Sequence, residues 1–180
     1  MFDLAKVPRL ETERLILRGW RADDFDAFAA MMVDPEVARF LTGDQRPMDR
    51  ASAWRTLALF VGHWSLRGFG LFAVEEKGSG AFVGRIGAWQ PEEWVGFELG
   101  WGLARPYWGK GYAREAARAA GDWAWTQIKT DELVSLIHVD NARSTRVAER
   151  LGATFERVVP FRGSDCAIYR HPSRAALHLN

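Results

Sequence analysis

The order of helix-like and strand-like segments along this 180-residue chain predicts an α+β fold. Two helical patterns come first, and three alternating apolar segments then follow one another with only short turns between them, as in an antiparallel meander. Single helices and a strand come next, and a hairpin ends the pattern. A regular alternation of strand and helix, which would give a parallel sheet, is therefore not expected.

The first predicted helix begins near Asp23 and Asp24, since carboxylates are favourable at a helix N-terminus. The apolar residues that recur behind them at helical spacing are Phe25, Phe28, Ala29 and Met32. A longer helix is predicted at 50–67.

The meander is predicted to have strands at 71–76, 82–89 and 95–103, each bounded by glycine or proline turns. The tetrapeptide Lys77-Gly78-Ser79-Gly80 is typical of a hairpin turn. A helix at 112–127 follows, and alanines on one face would let it lie close to a sheet: Ala113, Ala116, Ala117, Ala120 and Ala124.

The last predicted elements are a strand at 133–139, a helix at 144–151 ended by Gly152, and a hairpin of strands at 154–161 and 165–170. We find no internal repeat and no linker. The length suffices to bury a substantial core, so one domain over 1–180 is expected.

Composition excludes several classes of function. The formal net charge of +1 gives no general attraction to nucleic acid or to a membrane surface, and the scattered arginines are expected to form a solvated surface. Segment 1–6 lacks the basic start and apolar run of a signal peptide, and no stretch is long and apolar enough to cross a bilayer. The single cysteine, Cys166, excludes an internal disulfide, suits a reducing cytoplasm, and is expected to pack within a strand. No metal-ligand cluster of Cys and His is present.

Gly109 and Gly111 lie between a predicted strand and a predicted helix, and this arrangement suits a phosphate group. A helix N-terminus has backbone N–H groups without partners and the positive end of the helix dipole. Glycine permits the turn and a close approach of the anion. A Walker loop needs a longer glycine loop that ends in Lys followed by Ser or Thr, whereas Gly111 is followed by Tyr112 here. A dinucleotide fold would need a third spaced glycine.

The hexapeptide Trp108-Gly109-Lys110-Gly111-Tyr112-Ala113 resembles the hallmark of the GNAT superfamily of acetyl-CoA-dependent N-acetyltransferases, (Arg or Gln)-x-x-Gly-x-(Gly or Ala). Trp108 in place of Arg or Gln is similar to the RimJ/RimL-type branch. Further segments that resemble this branch are 11–18, 34–37, 141–144 and 151–153. The resemblance implies a mixed, mostly antiparallel sheet of about seven strands with about four helices, splayed between the fourth and fifth strands.

The same resemblance implies acetyl-CoA as cosubstrate. Its pyrophosphate would bind at Trp108, Gly109, Lys110, Gly111, Tyr112, Ala113 and Arg114, mainly through main-chain groups. Its pantetheine arm would enter the splay and pair with the backbone of Trp101, Gly102 and Leu103. The side chains of Trp101 and Leu103 are expected in the core. Asn141 would contact the cofactor, cap the last helix, or do both.

Two catalytic candidates follow. Ser144 is the candidate acid for the departing thiolate, because the family's later tyrosine position matches Ala148 here; a proton from solvent is the alternative. Glu98 is the first candidate for the base that takes the amine proton, although a solvated or salt-bridged strand glutamate would look the same. Glu92, Glu93 and His63 are reserves.

No Cys-His or Ser-His-Asp constellation is visible, so direct attack in a ternary complex is expected. The acceptor is expected to be a primary amine, either a protein N-terminus or a small molecule. A monomer or homodimer would serve equally. Nine tryptophans, among them Trp54, Trp64, Trp89, Trp94 and Trp101, would form either an aromatic cavity or core. If Glu92 and Glu93 flank the mouth of such a cavity, they would favour a cationic amine, but a plain exposed turn at 90–93 explains them equally well. The alternative function is a non-catalytic acyl-CoA sensor on the same fold.

Overall fold

One sheet runs through the part of the chain that the computed structural model describes, which is residues 7–128, 130 and 132–172. Segment 1–6, in which no signal peptide is predicted, lies outside these ranges. The strands lie in the order β1-β2-β3-β4-β5-β6-β8-β7. They are β1 Leu10–Glu11, β2 Leu15–Arg18, β3 Leu71–Glu76, β4 Phe82–Trp89, β5 Glu98–Leu103, β6 Val134–His138, β7 Thr154–Phe161 and β8 Ser164–Arg170.

Five α-helices are found in the described ranges: α1 Asp24–Val33, α2 Pro35–Leu41, α3 Arg50–Arg67, α4 Tyr112–Trp123 and α5 Ala142–Arg150. The predicted α+β class and mostly antiparallel sheet are confirmed, with eight strands and five helices where about seven and four were expected. The extra strand arises because Thr12 breaks the opening strand. Its hydroxyl accepts a hydrogen bond from Leu15 N at 2.9 Å and closes a turn between β1 and β2.

The extra helix, α2, begins at the segment Asp34-Pro35. Asp34 caps it through a 3.0 Å hydrogen bond from Glu36 N, and proline is favourable in the first turn of a helix. Helix α3 and strands β3, β4 and β7 have the predicted limits, and the turn after β3 is present.

Three predicted limits differ from the structure by two residues or more, and both limits of β6, the start of β8 and the end of α5 differ by one. The strand predicted at 95–103 begins only at Glu98, since Trp94 N turns back to Pro91 O at 3.2 Å. The helix predicted at 112–127 is α-helical only to Trp123 and continues as one π-helical turn, Ala124–Ile128. The last helix begins at Ala142, two residues before Ser144, because Asn141 is its cap.

Two apolar clusters cover the two faces of the sheet. The alanines of α4 lie with Leu17, Val83 and Leu99 in one cluster, and small side chains allow this close approach of helix and sheet. Helices α1, α2 and α3 form the other cluster with Leu71 and Trp89. Cys166 is buried in β8, as expected. No helix among the described residues has the length and apolarity needed to span a membrane.

Strands β5 and β6 diverge, which is the splay expected between the fourth and fifth predicted strands. They are the parallel pair in the sheet, and they are matched at one position, Glu98 with Val134. Ser135 Oγ then donates to Leu99 O at 2.7 Å and lies 2.8 Å from His171 Nε2. Beyond this point, the edge of β5 that faces β6 is open.

Candidate functional site

Gly109 and Gly111 form a tight turn directly before α4. Their φ angles are 75° and 81°, in the left-handed region that glycine adopts at little steric cost. Gly111 is the N-cap of α4, and a Cβ on Gly109 would meet no heavy atom within 4 Å. The backbone angles therefore require glycine at both positions, and the space beside Gly109 is open.

The backbone amides of this turn are free of main-chain partners. None of the N–H groups of residues 109–114 donates to a carbonyl in the described turns and caps, and the first bond of the helix runs from Glu115 N to Gly111 O at 3.1 Å. Gly111 has no side chain that could cap them. A helix start of this kind carries a positive partial charge, so the turn suits an anion.

A cavity of about 900 Å³ lies in front of the turn, and its wall is strongly basic. It includes five arginines from two helices, namely Arg114, Arg118, Arg143, Arg146 and Arg150. One of its two carboxylates, Glu115, is paired with Arg14 at 2.6 Å. The cavity therefore carries a large excess of positive charge, which suits a ligand with several phosphates.

Sequence reasoning named only the first of these five arginines and assigned the others to a solvated surface. The missed signal was their spacing. Residues four apart on α4, and three and seven apart on α5, share a helix face. Sequence alone does not show that the two faces meet.

The open edge of β5 presents main-chain groups to the same cavity. Leu99 O points toward β6, where Ser135 donates to it, and residues two apart on a strand direct their polar groups the same way. Trp101 and Leu103 therefore face the gap. Leu103 O accepts from Trp108 Nε1 at 2.8 Å, which leaves Leu103 N–H and both main-chain groups of Trp101 facing the gap.

Gly102 has no side chain on the face of β5 that Leu41 approaches. Its polar groups face β4, since a Cβ on Gly84 would collide with Gly102 O. A Cβ on Gly102 itself would lie 2.6 Å from Leu41 Cδ1. Its lack of a side chain therefore lets the segment around Leu41 close over the open edge.

Several predicted binding residues direct their side chains away from the turn. The buried Tyr112 donates its hydroxyl to Glu76 at 2.5 Å. Lys110 Nζ lies 5.1 Å above the Tyr107 ring. Lys110, Tyr112 and Ala113 therefore face the cavity with their backbone amides and not with their side chains. Arg143 Cζ lies 4.5 Å from the centre of the Trp108 ring.

A second cavity of about 260 Å³ meets the first where β5 and β6 diverge. The residues that line both cavities are Phe40, Leu41, Trp101, Asn141 and Ser144. The smaller one has aromatic walls formed by Phe60, Trp89, Trp94, Trp101 and Phe161. Its charged groups are Arg39, Arg85, Glu98 and Arg162, with His138 nearby.

Three of the five tryptophans named in the sequence thus line this aromatic cavity. Trp64 is instead core, packed against Phe72 at 4.9 Å between ring centres, and Trp54 is exposed. Helical and strand periodicity could not separate these cases, because core and cavity walls lie on the same faces.

Glu98 lies in the smaller cavity, and its carboxylate is held by Trp94, whose Nε1 donates to Oε2 at 2.6 Å. Burial raises the pKa of Glu98 to about 7, while the Trp94 hydrogen bond and the charge of Arg85 oppose that rise. No ion pair of Glu98 is found within the part of the chain that the structure describes, and the half-buried carboxylate faces the cavity. A carboxylate with a pKa near neutrality can take up a proton at physiological pH.

Ser144 and Asn141 lie at the junction of the two cavities. Asn141 Oδ1 accepts a hydrogen bond from Ser144 N at 3.2 Å, which confirms the capping interpretation. Ser144 Oγ accepts from Trp101 Nε1, also at 3.2 Å, so its own proton is available for donation. The neighbouring Ala148 is fully buried and carries no hydroxyl.

The three reserve residues do not reach either cavity. Glu92 is exposed and paired with Arg67, and Glu93 lies in an exposed turn with a φ of 62°. His63 is buried, stacked on Trp89 at 4.3 Å between ring centres, and burial lowers its pKa. Glu92 and Glu93 therefore form an exposed turn, as the second interpretation predicts, and do not make the mouth of either cavity acidic.

Among the residues described, no three His, Cys, Asp or Glu side chains come together as a possible metal site. The fold and site instead define a class of protein in which a basic cavity and a helix N-terminus suited to an anion lie beside the open edge of a splayed sheet. The model of the GNAT acetyltransferase domain matches residues 14–154. The chain belongs to this family of acetyltransferases.

Individual relatives agree with the family assignment. An acetyltransferase from Agrobacterium tumefaciens has 34% sequence identity and a TM-score of 0.81, with 92% of this chain and 95% of that chain covered. YkkB of Bacillus subtilis is 30% identical over 172 residues, 92% of this chain and 96% of its own. RimL, a ribosomal L7/L12 α-N-protein acetyltransferase solved in complex with coenzyme A, has 17% identity and a TM-score of 0.76, covering 93% of this chain and 99% of its own. It shares the fold.

Proposed function

We propose that this protein transfers an acetyl group from acetyl-CoA to a primary amine by direct attack within a ternary complex. The observation that carries the proposal is the meeting of two cavities at Trp101 and Ser144. One cavity is basic and extended, and the other is small and contains a carboxylate with a raised pKa. Two ligands of different chemistry can thus approach one point.

The larger cavity fits coenzyme A. The free amides of residues 109–114 suit a pyrophosphate, and the arginines of α4 and α5 suit its remaining negative charge. The main-chain groups of Trp101 and Leu103 suit the amides of a pantetheine arm, which would extend the sheet by one short strand. RimL, which shares this fold, is a structure with coenzyme A bound.

Bound acetyl-CoA supplies the acyl group as a thioester. In the proposed reaction, the amine nitrogen forms a bond to the acyl carbon, and the carbon–sulfur bond breaks. Glu98 takes the proton that the amine must lose, because its pKa of about 7 makes it a competent base at neutral pH. A water can carry the proton between them.

Ser144 is the proposed donor of a proton to the departing sulfur. Its hydroxyl accepts from the indole of Trp101, which orients the oxygen and leaves the O–H free. The Trp101 N–H that donates to this oxygen also stabilises the negative charge that develops on it as the hydroxyl gives up its proton. Solvent is the competing proton source.

The test is release of free thiol from acetyl-CoA by the purified protein against a panel of primary amines, with the melting temperature as a readout of CoA binding. Acceptor-dependent release supports the transferase. Stabilisation by CoA without release on any amine would instead support the sensor.

Ser144→Ala distinguishes the two proton sources. We expect kcat to fall at least tenfold while the Kd for CoA stays within threefold, because the hydroxyl acts only on the departing sulfur. Ser65→Ala, at a half-buried serine of α3 that lines neither cavity, is the matched control. An unchanged kcat in Ser144→Ala would assign the proton to solvent.

A further inference from the structure

Arg85 has a position that the acetyl transfer described above does not explain. It extends from β4 into the smaller cavity, and its Nε is buried without a hydrogen-bond partner among the described residues. Burial lowers the pKa of Arg85 to about 10, opposed only by the charge of Glu98. Burying the Nε of a guanidinium without a hydrogen-bond partner is unfavourable, so this group requires compensation.

The protein supplies only part of that compensation, through the Phe60 ring, whose centre lies 5.4 Å from Arg85 Cζ, and through the charge of Glu98. Glu98 is the one carboxylate in the wall of the smaller cavity, where Arg39, Arg85 and Arg162 give three guanidinium groups. Glu98 is also half-protonated near pH 7 because burial raises its pKa to about 7. The cavity therefore has excess positive charge, which is the opposite of what a polyamine or other polycation needs.

Gly100 brings Arg85 and Glu98 to one place. A Cβ on Gly100 would lie 3.1 Å from Glu98 Oε1 and 3.9 Å from Arg85 Nη1. The carboxylate and the guanidinium thus end over the same bare stretch of backbone. An acceptor whose amine faces Glu98 can contact Arg85 only through a group that lies one or two bonds from that amine.

We propose that the acceptor is a free amino acid, whose α-carboxylate binds Arg85 while its α-amine faces Glu98. A planar guanidinium pairs with a carboxylate through two parallel hydrogen bonds. The aromatic walls, including Trp94 and Phe60, suit an apolar side chain. At about 260 Å³ the cavity is below the roughly 300–1,000 Å³ of pockets for drug-sized ligands, which matches a small acceptor. This inference rests on the proposed acetyl transfer.

The test compares kcat/KM for leucine, methionine, phenylalanine and tryptophan with the values for their α-amides and decarboxylated amines, by thiol release at pH 8. We expect at least one amino acid to exceed its own amide and amine by about 100-fold. The amide has the less basic amine, so a larger fraction of it is neutral, and this bias works against the expected preference. Amides or amines that react as well as the amino acids would overturn the proposal.

Variants assign the preference to Arg85. Arg85→Met should lower kcat/KM for the amino acid about 100-fold, mainly through KM, and change the value for the amide less than threefold. Arg85→Lys should recover part of the loss, and Arg55→Met, at an exposed arginine of α3, should change neither. Equal losses on amino acid and amide would show that Arg85 acts only on Glu98, and would refute carboxylate binding.

Separate measurements distinguish loss of folding from loss of function in these variants. Arg85→Met should melt at the same or a higher temperature than the wild type, since it removes a buried charge without a partner. Gly100→Ala is a second variant that fills the space between the two groups, and it should lose the amino acid while still binding CoA. If CoA binds but no amine is acetylated, titration calorimetry of the CoA complex with the same amino acids decides the proposal, and absence of binding refutes it. Absence of CoA binding would refute the transferase itself.

Discussion

Glu98→Gln is the most informative single change, because the environment of Glu98 affects both activity and stability. The substitution keeps the size of the side chain and an oxygen that can accept from Trp94 Nε1, which lies 2.6 Å from Oε2 in the wild type. It removes the group whose pKa is raised by burial to about 7. We expect kcat/KM at pH 8 to fall 10²- to 10⁴-fold, as roughly expected for loss of a general base.

The pH dependence of the same variant tests the assignment. Glu98 acts as a base only when ionised, so its ionisation alone should lower wild-type kcat/KM about tenfold per pH unit below pH 7. The amine also titrates, but that effect is common to both proteins and cancels in the ratio of wild type to variant. The ratio should therefore rise with pH and level off above about pH 7. Glu92→Gln is the matched control at an exposed carboxylate.

Stability should change in the opposite direction with pH. The pKa of Glu98 is about 7 in the folded protein against an ordinary 4.5. Between these values the folded state keeps a proton that the unfolded chain releases, so this contribution is complete below about pH 4.5 and is lost as pH rises through about 7. From pH 5 to pH 8, wild type should lose about 2 to 3 kcal/mol of unfolding free energy relative to Glu98→Gln. Urea denaturation measures it.

An equal pH dependence of stability in the two proteins would refute the raised pKa. Loss of activity without the change in pH profile would show that Glu98 only shapes the cavity. The two measurements are independent, because stability is measured without substrate and the kinetic ratio with it.

Three further predictions concern the binding turn, the basic wall and the fold. Gly111→Val should weaken CoA binding at least 100-fold in calorimetry, whereas Gly80→Val, at another left-handed glycine with a φ of 70° in open space, shares the strain and should bind CoA normally. Arg118→Met should weaken CoA binding about three- to tenfold at low salt and reduce the dependence of Kd on NaCl; an unchanged salt dependence would contradict the basic wall. Asp24→Asn should cost about 3 kcal/mol in urea denaturation, because it leaves the buried Arg18 without its bidentate partner at 2.8 Å, and a loss below about 1 kcal/mol would contradict that role.

Local signals predicted the elements that are defined by local chemistry. Helix α3 has the predicted limits, and the structure shows that both are set locally: Asp49 caps its start, accepting from Ser52 N at 2.6 Å, and Gly68 ends it with a φ of 74°. The hairpin between β3 and β4 was found for the same reason. Turn and cap residues act on their immediate neighbours, so the sequence alone contains the information.

The predicted strand limit at Val95 was wrong because periodicity cannot see hydrogen bonding. Apolar residues continue through the turn before β5, and Trp94 belongs to that turn while still serving the site through Glu98. The π-helical turn after Trp123 was missed for a similar reason. The helical pattern continues there, and only the spacing of the hydrogen bonds changes.

The candidate site was partly predictable from the sequence. The predictable parts lie within one short segment, and the unpredicted parts are formed by segments that are far apart in the sequence. The glycine turn is one short segment, so Gly109 and Gly111 were visible. The basic wall needs α4 and α5 to lie side by side, and the acceptor cavity needs β4, β5 and the loops to converge. Nothing in the sequence around Arg85 distinguishes it from a strand arginine at the surface.

The opening between β5 and β6 explains why a main-chain site and a desolvated carboxylate occur together. Because Ser135 Oγ donates a hydrogen bond to Leu99 O at 2.7 Å, the next backbone hydrogen bond between the two strands does not form. The freed groups of Trp101 then face one cavity, and the side chain of Glu98 occupies the start of the gap, where burial raises its pKa to about 7. One break in a β-ladder thus creates both the open strand edge and the desolvated carboxylate, which is why the candidate site lies where the two strands separate.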